Sequence, residues 1–466
     1  MRLWQEWWKW VAPLRGACAR RRTFMWMGVA LIGFCVRPDL WGVTSLVRAL
    51  GLKAVCYDRL LDFFHSPALE VETLTRLWTA RVLRRHPGCV VCNGRLVILG
   101  DGVKVAKAGK KMPGVKRIHQ QSESNTKPEY ILGHSCQALA ILVRGLSSVV
   151  ALPLTARIHE GVVFSNRDQR TLLDKMIALI ASLDLDKPCY FVADAYYASC
   201  KIVRPLLRMN HHLVTRVRKN AVAYRPAPPR QRPTRGRPKV YGDKVPLKTL
   251  FDDPAAMQAV ESPVYGEFGV TLAVRAVNLL WRPVGMKVRF IAVIHPTRGR
   301  LILMTTDLAM APCDVIRLYG YRFKIEVSFK SALHTVGAFL YHFWMAEMTP
   351  IGRKAKKQHL HRKSAEYRAA VSRKLDAYHR FIQLGLIAQG VMVALATTVP
   401  ALVWSAYGSW MRTVRPGVVP SEAVVADALK NTLHYFLAED SPEPILAKFI
   451  QEKLDWEQTQ AKRISA

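Results

Sequence analysis

Two short apolar runs, Arg95-Leu-Val-Ile-Leu-Gly100 and Cys189-Tyr-Phe-Val-Ala193, are each followed at once by an aspartate, Asp101 or Asp194. Gly94 and Gly102 bound the first run, and Pro188 and the polar break after Tyr197 bound the second. Uninterrupted apolar runs of this length between turn residues predict buried strands, so both acids are expected at strand ends. Between Leu318 and Leu333 the period changes. Tyr319, Arg322, Glu326 and Lys330 recur at intervals of three, four and four, which predicts one helix carrying them on a single face. Leu318, Ile325 and Phe329 form the adjacent apolar stripe that would pack on a core. Carboxylates at strand ends, joined by one from a helix, can converge on divalent metal.

Elsewhere the pattern divides the chain. Residues 1 to about 90 carry helical spacing, with Trp4, Trp7, Trp8 and Trp10 crowded at the start, and Gly42 to His65 reads as two short helices joined near Gly51-Leu52. That pair has the outline of a helix-turn-helix, although an ordinary helical bundle accounts for it equally well. Val264 to Thr306 alternates as several strands with a turn at Pro296 to Arg300, and Tyr224 to Lys244 is too rich in Pro and Arg for regular structure. Phe24 to Val36, behind Arg20, Arg21 and Arg22, reads as a buried helix. Leu384 to Trp404, with Gln389 and Gly390 inside it, reads as a core helix broken near Pro400. No transmembrane span is expected.

Charge changes the picture. Lys and Arg number 69 against 34 acidic residues, a formal net charge of +35, which calls for a polyanionic partner, and the partner inferred is DNA. At 466 residues and 50% hydrophobic the chain can bury a sizeable core, which excludes a disordered basic tail. Nine cysteines without regular spacing suit a reducing compartment, here the cytoplasm, and the lone Cys89/Cys92 pair is not assigned zinc. Between Lys104 and His134 the cations Lys107, Lys110, Lys111, Lys116 and Arg117 border the first acid and suggest phosphate contact, while His119 and His134 are read as structural. Arg235-Gly236-Arg237-Pro238 has the core of an AT-hook, whose two arginines enter a narrow minor groove, with a solvated linker as the equal alternative. Trp281, beside a turn, is placed where an aromatic can stack on an extruded base, against the more common fate of core packing. The Lys- and Arg-rich Arg353 to Lys374 reads as an exposed cationic segment over DNA.

Taken with Leu-Gly-Asp-Gly-Val-Lys-Val around Asp101, Ala-Asp-Ala-Tyr-Tyr around Asp194, and Thr-Thr-Asp-Leu leading to Tyr319, Arg322 and Glu326, the chain resembles an insertion-sequence DDE transposase. The resemblance is to the group with a Tyr-x2-Arg-x3-Glu-x6-Lys signature, and it covers roughly residues 95 to 335. Leu333 stands where the signature has its distal Lys, and Lys330 is the candidate to take over part of that phosphate contact.

The resemblance implies an α/β fold, a ribonuclease H-like catalytic core with a β-rich insertion, flanked by helical N- and C-terminal regions. The expected divisions are a helical, DNA-end-binding region at 1–90, core at 91–215, basic loop and insertion at 216–306, the catalytic helix at 307–340, and a helical, dimerising region at 341–466. Asp101, Asp194 and Glu326 are the implied catalytic and metal-binding residues, holding two Mg²⁺ ions, or Mn²⁺ as substitute, ~3.5–4 Å apart. Tyr319, Arg322, Lys330, Arg235, Arg237 and Trp281 are the expected DNA-binding residues. The implied partners are double-stranded DNA with terminal inverted repeats, target DNA and a second copy of the chain in a synaptic homodimer, with no membrane. The alternatives are a catalytically inactive, transposase-derived DNA-binding protein and a structure-selective nuclease.

Overall fold

The two apolar runs become neighbouring parallel strands in the middle of one large sheet. The computed structural model describes residues 2–120, 128–146, 148–229, 236–352, 354–410, 412–438 and 441–456. Its strands are β1 (Val91–Cys92), β2 (Arg95–Ala106), β3 (Lys116–His119), β4 (Tyr130–Gly145), β5 (Ser148–Ile158), β6 (Val162–Val163), β7 (Cys189–Val192), β8 (His212–Arg216), β9 (Val222–Pro226), β10 (Tyr241–Pro246), β11 (Gln258–Glu261), β12 (Thr271–Trp281), β13 (Met286–His295), β14 (Gly299–Thr305) and β15 (Gln358–His359). Its helices are α1 (Arg2–Val11), α2 (Arg21–Val36), α3 (Gly42–Ala49), α4 (Cys56–His65), α5 (Val71–Arg85), α6 (Leu172–Ala181), α7 (Cys200–Arg208), α8 (Pro312–Tyr321), α9 (Phe323–Ser331), α10 (Ala365–Thr398), α11 (Pro400–Ala406), α12 (Glu422–Asn431), α13 (Leu433–Phe436) and α14 (Pro444–Gln451).

The main sheet runs in the order β10-β9-β12-β13-β14-β8-β7-β2-β4-β3, with β1 added to β2, β11 to β12 and β5 to β4. At its centre β7 is parallel to β2 and β8 parallel to β7, while β4 is antiparallel to both β2 and β5. Parallel neighbours need long return connections, and α6 and α7 lie in them. Leu96 to Leu99 and all of β7 are buried, so each apolar position has a partner whichever face it points to, and the runs do not alternate. Beyond β8 the sheet continues through β14, β13 and β12, and the expected strands and the turn after His295 are present.

Three expectations are corrected. Asp101 is not at a strand end: β2 continues to Ala106 because β4 keeps pairing with it, Asp101 opposite Ala138 and Ala106 opposite Gly133, after β7 has stopped. The stretch from Tyr224 to Lys244 contributes to strands at both ends, where β9 and β10 pair and satisfy each other's backbone groups. The helix through Tyr319 to Lys330 is not continuous. Arg322 N donates to Tyr319 O and Ile325 N to Arg322 O, a tightened turn that separates α8 from α9. After α9 a π-turn over Ala332–Val336 ends at Gly337, whose φ of +67° is left-handed.

Helix α10 is the scaffold. From Phe381 to Ala396 it is buried all round, and it ends at Thr398, just before Pro400. It is the one described helix long and apolar enough to cross a membrane, and 94% of its apolar window is buried inside the protein. Trp4, Trp7 and Trp10 are also buried, packing among themselves and against Phe436 and Trp78. Gly100 marks a close approach within the sheet: a Cβ there would meet the Phe191 ring at 2.2 Å. Gly100→Ala is therefore expected to destabilise the fold by about 1–3 kcal/mol, as overpacking does, which urea denaturation measures. Unchanged stability would mean that the strands on either side of Asp101 can part without cost.

Candidate active site

The register of two strands sets the first pair of acids. Leu99 is the last β2 residue opposite β7, where it faces Val192, and a two-residue step onward along both chains reaches Asp101 and Asp194. Asp101 Oδ1 accepts the Gly102 N–H at 2.7 Å. Asp194 caps the short 3₁₀ turn Ala195–Tyr197, its Oδ1 accepting the Tyr196 N–H at 3.0 Å, and its carbonyl accepts the Thr215 hydroxyl at 2.7 Å. Glu326 arrives on α9, which is seated by buried Ile325 and by Gln389 of α10 donating to the Ser328 carbonyl at 2.9 Å. Arg322 joins the elements: Nη1 donates to Asp101 Oδ2 at 2.9 Å and Nη2 to Glu326 Oε1 at 2.7 Å.

Burial raises the Asp101 carboxyl to about 6, against the pull of the Gly102 N–H and Arg322 and with the push of Asp194 and Glu326. Asp194 is also raised by burial, opposed by the Tyr196 N–H and Arg322 and reinforced by Glu326. Burial works against the Arg322 charge, yet the carboxylates of Asp101 and Glu326 more than offset it and raise its pKa. Among the described residues, no three His, Cys, Asp or Glu side chains converge closely enough to form a ready metal cage; a guanidinium lies between two of the acids instead.

A supporting layer had no signal in the sequence. Buried Tyr197 receives a hydrogen bond from Gln137 Nε2 at 3.2 Å, and His159 Nδ1 lies 2.6 Å from Gln137 Oε1. Gln137 is opposite Gly102 across β2 and β4, so this chain backs the Asp101 strand. Only the Ala-Asp-Ala-Tyr-Tyr stretch pointed towards Tyr197, and nothing in the sequence linked it to residues 137 and 159.

The expected DNA contacts fare unevenly. Lys330 is exposed, whereas Tyr319 is half-buried on the apolar side and Leu333 is partly buried against the core. Arg322 faces carboxylates rather than open solvent, because two acids compete for its fork. Trp281 is 6% exposed and packed in the core at the end of β12, so it has no free face for a base. Arg237 is exposed, and Arg235 lies outside the described residues. Lys107 is also removed from the phosphate-binding set: it is buried, donates to the Phe339 and Tyr341 carbonyls and lies over the Tyr341 ring. His134 is structural, buried between the Tyr341 hydroxyl and the Pro113 carbonyl.

The family described as DDE superfamily endonuclease matches residues 13–282, a segment that contains Asp101 and Asp194 and stops before Glu326. No match was found among curated proteins. Among solved structures, the chain is similar to one described as a cryo-electron-microscopy structure of a piggyBac transposase synaptic complex with hairpin DNA. The identity is 12% and the TM-score 0.35, over 97% of this chain and 83% of that one, too distant to assign a fold.

The shifted Asp101 carboxyl has a measurable consequence. An aspartate in the unfolded chain titrates near 3.9, so between about 4 and about 6 the folded protein binds more protons, and the contribution of Asp101 to stability falls as pH rises through that window. Asp101→Asn in EDTA is expected to remove this slope, changing the stability difference between about pH 4.5 and pH 7 by up to roughly 2 kcal/mol. Urea denaturation of both proteins at the two pH values checks it; parallel behaviour would return Asp101 to ordinary titration.

Proposed function

The chain belongs to the DDE superfamily endonucleases, and on that footing we propose that it is a DNA transposase of the Tyr-x2-Arg-x3-Glu signature group. Asp101, Asp194 and Glu326 form its catalytic set. The observation that carries this reading is the meeting of the three elements: parallel register aligns two aspartates, and Arg322 ties the first of them to Glu326. The central order β5-β4-β2-β7-β8, with its mixture of parallel and antiparallel neighbours, supports a ribonuclease H-like core, and the strands from β9 to β14 support a β-rich insertion. The helix pair α3 and α4 is the candidate for binding element ends, and the helices after residue 364 are the candidate dimer contact.

The donor set fits a hard divalent cation, Mg²⁺ or Mn²⁺: every donor is a carboxylate oxygen, and Asp101 and Glu326 already share one cationic partner. Bound there, such ions supply activation of the attacking hydroxyl and stabilisation of the leaving oxygen in phosphodiester cleavage. The chain itself supplies orientation. The Gly102 and Tyr196 N–H groups each hold one aspartate oxygen, which fixes the direction in which both carboxylates would offer their remaining oxygens to a cation. Exposed Lys330, one turn after Glu326 on α9, is the candidate to steady the DNA backbone, with half-buried Tyr319 of α8 beside Arg322 as a lesser one, and the +35 net charge draws DNA to the protein. Hydrolysis would free a 3′-hydroxyl at the element end, which then joins target DNA by transesterification.

A second reading, a transposase descendant that binds DNA without cutting, draws on Leu333. The π-turn sets this residue partly against the core, so the distal phosphate contact of the signature is missing.

Incubation of the purified protein with DNA carrying the repeats that flank its own gene separates these readings: release of a free 3′-hydroxyl with Mg²⁺ and not with EDTA is expected. Asp101→Asn, Asp194→Asn and Glu326→Gln should each lower cleavage by more than about a hundredfold, beyond the 10–100-fold typical of losing a group that merely supports a metal ligand, while leaving end binding in place. Near-normal cleavage by any one variant would remove that residue from the set.

A further inference from the structure

Among the described residues, Arg322 is the one charged side chain that touches two members of the carboxylate set, and it does so from a break in its helix. We infer that Arg322 is a positioning residue that occupies the place of a cation between Asp101 and Glu326 until divalent ions bind, and that its displacement frees a guanidinium for DNA phosphate. Ion binding and DNA binding are then coupled through one side chain. The inference rests on the reading of Asp101, Asp194 and Glu326 as the cation-binding set and adds to it an order of events.

The geometry carries it. Both Nη atoms are committed, one to each acid; Arg322 and Asp101 are 20% and 19% exposed, so their half of the bridge is largely withdrawn from water, while Glu326, 41% exposed, keeps the other half open to solvent and to an incoming ion. A planar guanidinium between two carboxylates holds them on separate nitrogens. A divalent ion is more compact and needs their oxygens on a common centre, so the two arrangements exclude each other, and repulsion between the cations reinforces the exclusion. The tightened turn at Arg322 places the side chain between two helices instead of within one. A cleft lies beside it: Arg322, Tyr319, Phe323, Tyr265 and Arg298 line a single pocket, and Arg298, paired with Glu267 at 2.8 Å but 67% exposed, adds a second cation at its rim for a phosphate that a released guanidinium could meet. Binding free energies are reciprocal, so whatever factor DNA adds to ion affinity, the ion adds to DNA affinity.

The test is Mn²⁺ binding, followed by the electron paramagnetic resonance of free Mn²⁺ and by calorimetry, with and without a short duplex of arbitrary sequence in the cold. Arg322→Ala is expected to bind Mn²⁺ at least about fivefold more tightly than wild type without DNA, the low end of site-to-site coupling, and to lose most of the gain in Mn²⁺ affinity that DNA confers on wild type. If Arg322→Ala loses its circular dichroism signature, Arg322→Lys replaces it, since one ammonium cannot serve both acids through a fork and should shift Mn²⁺ affinity in the same direction. Equal Mn²⁺ affinity in a folded variant and wild type overturns the inference. Asp194→Asn and Glu326→Gln distinguish the two levels: Mn²⁺ binding that depends on these acids but not on Arg322 sinks the displacement alone. Mn²⁺ binding indifferent to them, with DNA present, sinks the catalytic reading as well.

Discussion

Carboxylates gathered into a half-buried cleft lose water and repel one another, and the elements around Asp101, Asp194 and Glu326 are arranged to meet that cost. Two backbone N–H groups and one guanidinium supply the compensating donors. None of the three is optional on electrostatic grounds: the Asp101 carboxyl already sits near 6 with its donors in place, so the folded protein tolerates the charge rather than favouring it. A site of this kind gains from any added cation, which is the physical basis for reading it as a place where divalent ions and DNA meet.

Keeping the acids together also requires that their elements do not slide. The parallel register of β2 and β7 fixes two of them, and α10 fixes the third through Gln389 and Ser328. The same helix reaches the sheet through Gln383, which donates to the Leu154 carbonyl, and reaches the N-terminal helices through Arg380, which donates to the Phe64 and Leu69 carbonyls. Buried Arg157 completes the link, with hydrogen bonds to Thr155, Gln383, Thr75 and Glu72. A buried guanidinium without such partners would cost several kcal/mol; with them it ties β5, α5 and α10 into one packed unit. The N-terminal helices are thus continuous with the core that carries the acids.

The large positive charge is not a uniform coat. Lys107, Arg157 and Arg380 are buried and spend their hydrogen bonds on the fold, and Arg322 is held by acids, whereas Lys330 and Arg237 are exposed. Net charge therefore indicates the class of partner, while burial decides which cations are able to reach it.

What the sequence determined by itself was local. The apolar runs before Asp101 and Asp194, the alternation from Val264 to Thr306, whose strands begin only at Thr271, the helix pair between Gly42 and His65 and the interruption before Pro400 are all set by side-chain periodicity and turn residues, and each appears in the structure. The spacing of Tyr319, Arg322, Glu326 and Lys330 likewise put an acid between cations before any fold was known. Tertiary structure decided the partners. Asp101 lies within its strand because β4 outlasts β7, Trp281 and Lys107 are withdrawn into the core, and Gln137, Tyr197 and His159 meet only through folding. Above all, Arg322 turns to carboxylates 4 and 221 positions away in the chain instead of to open solvent. Periodicity records which face a residue occupies, but which charge waits opposite that face depends on strand register and helix packing, and these are properties of the whole fold.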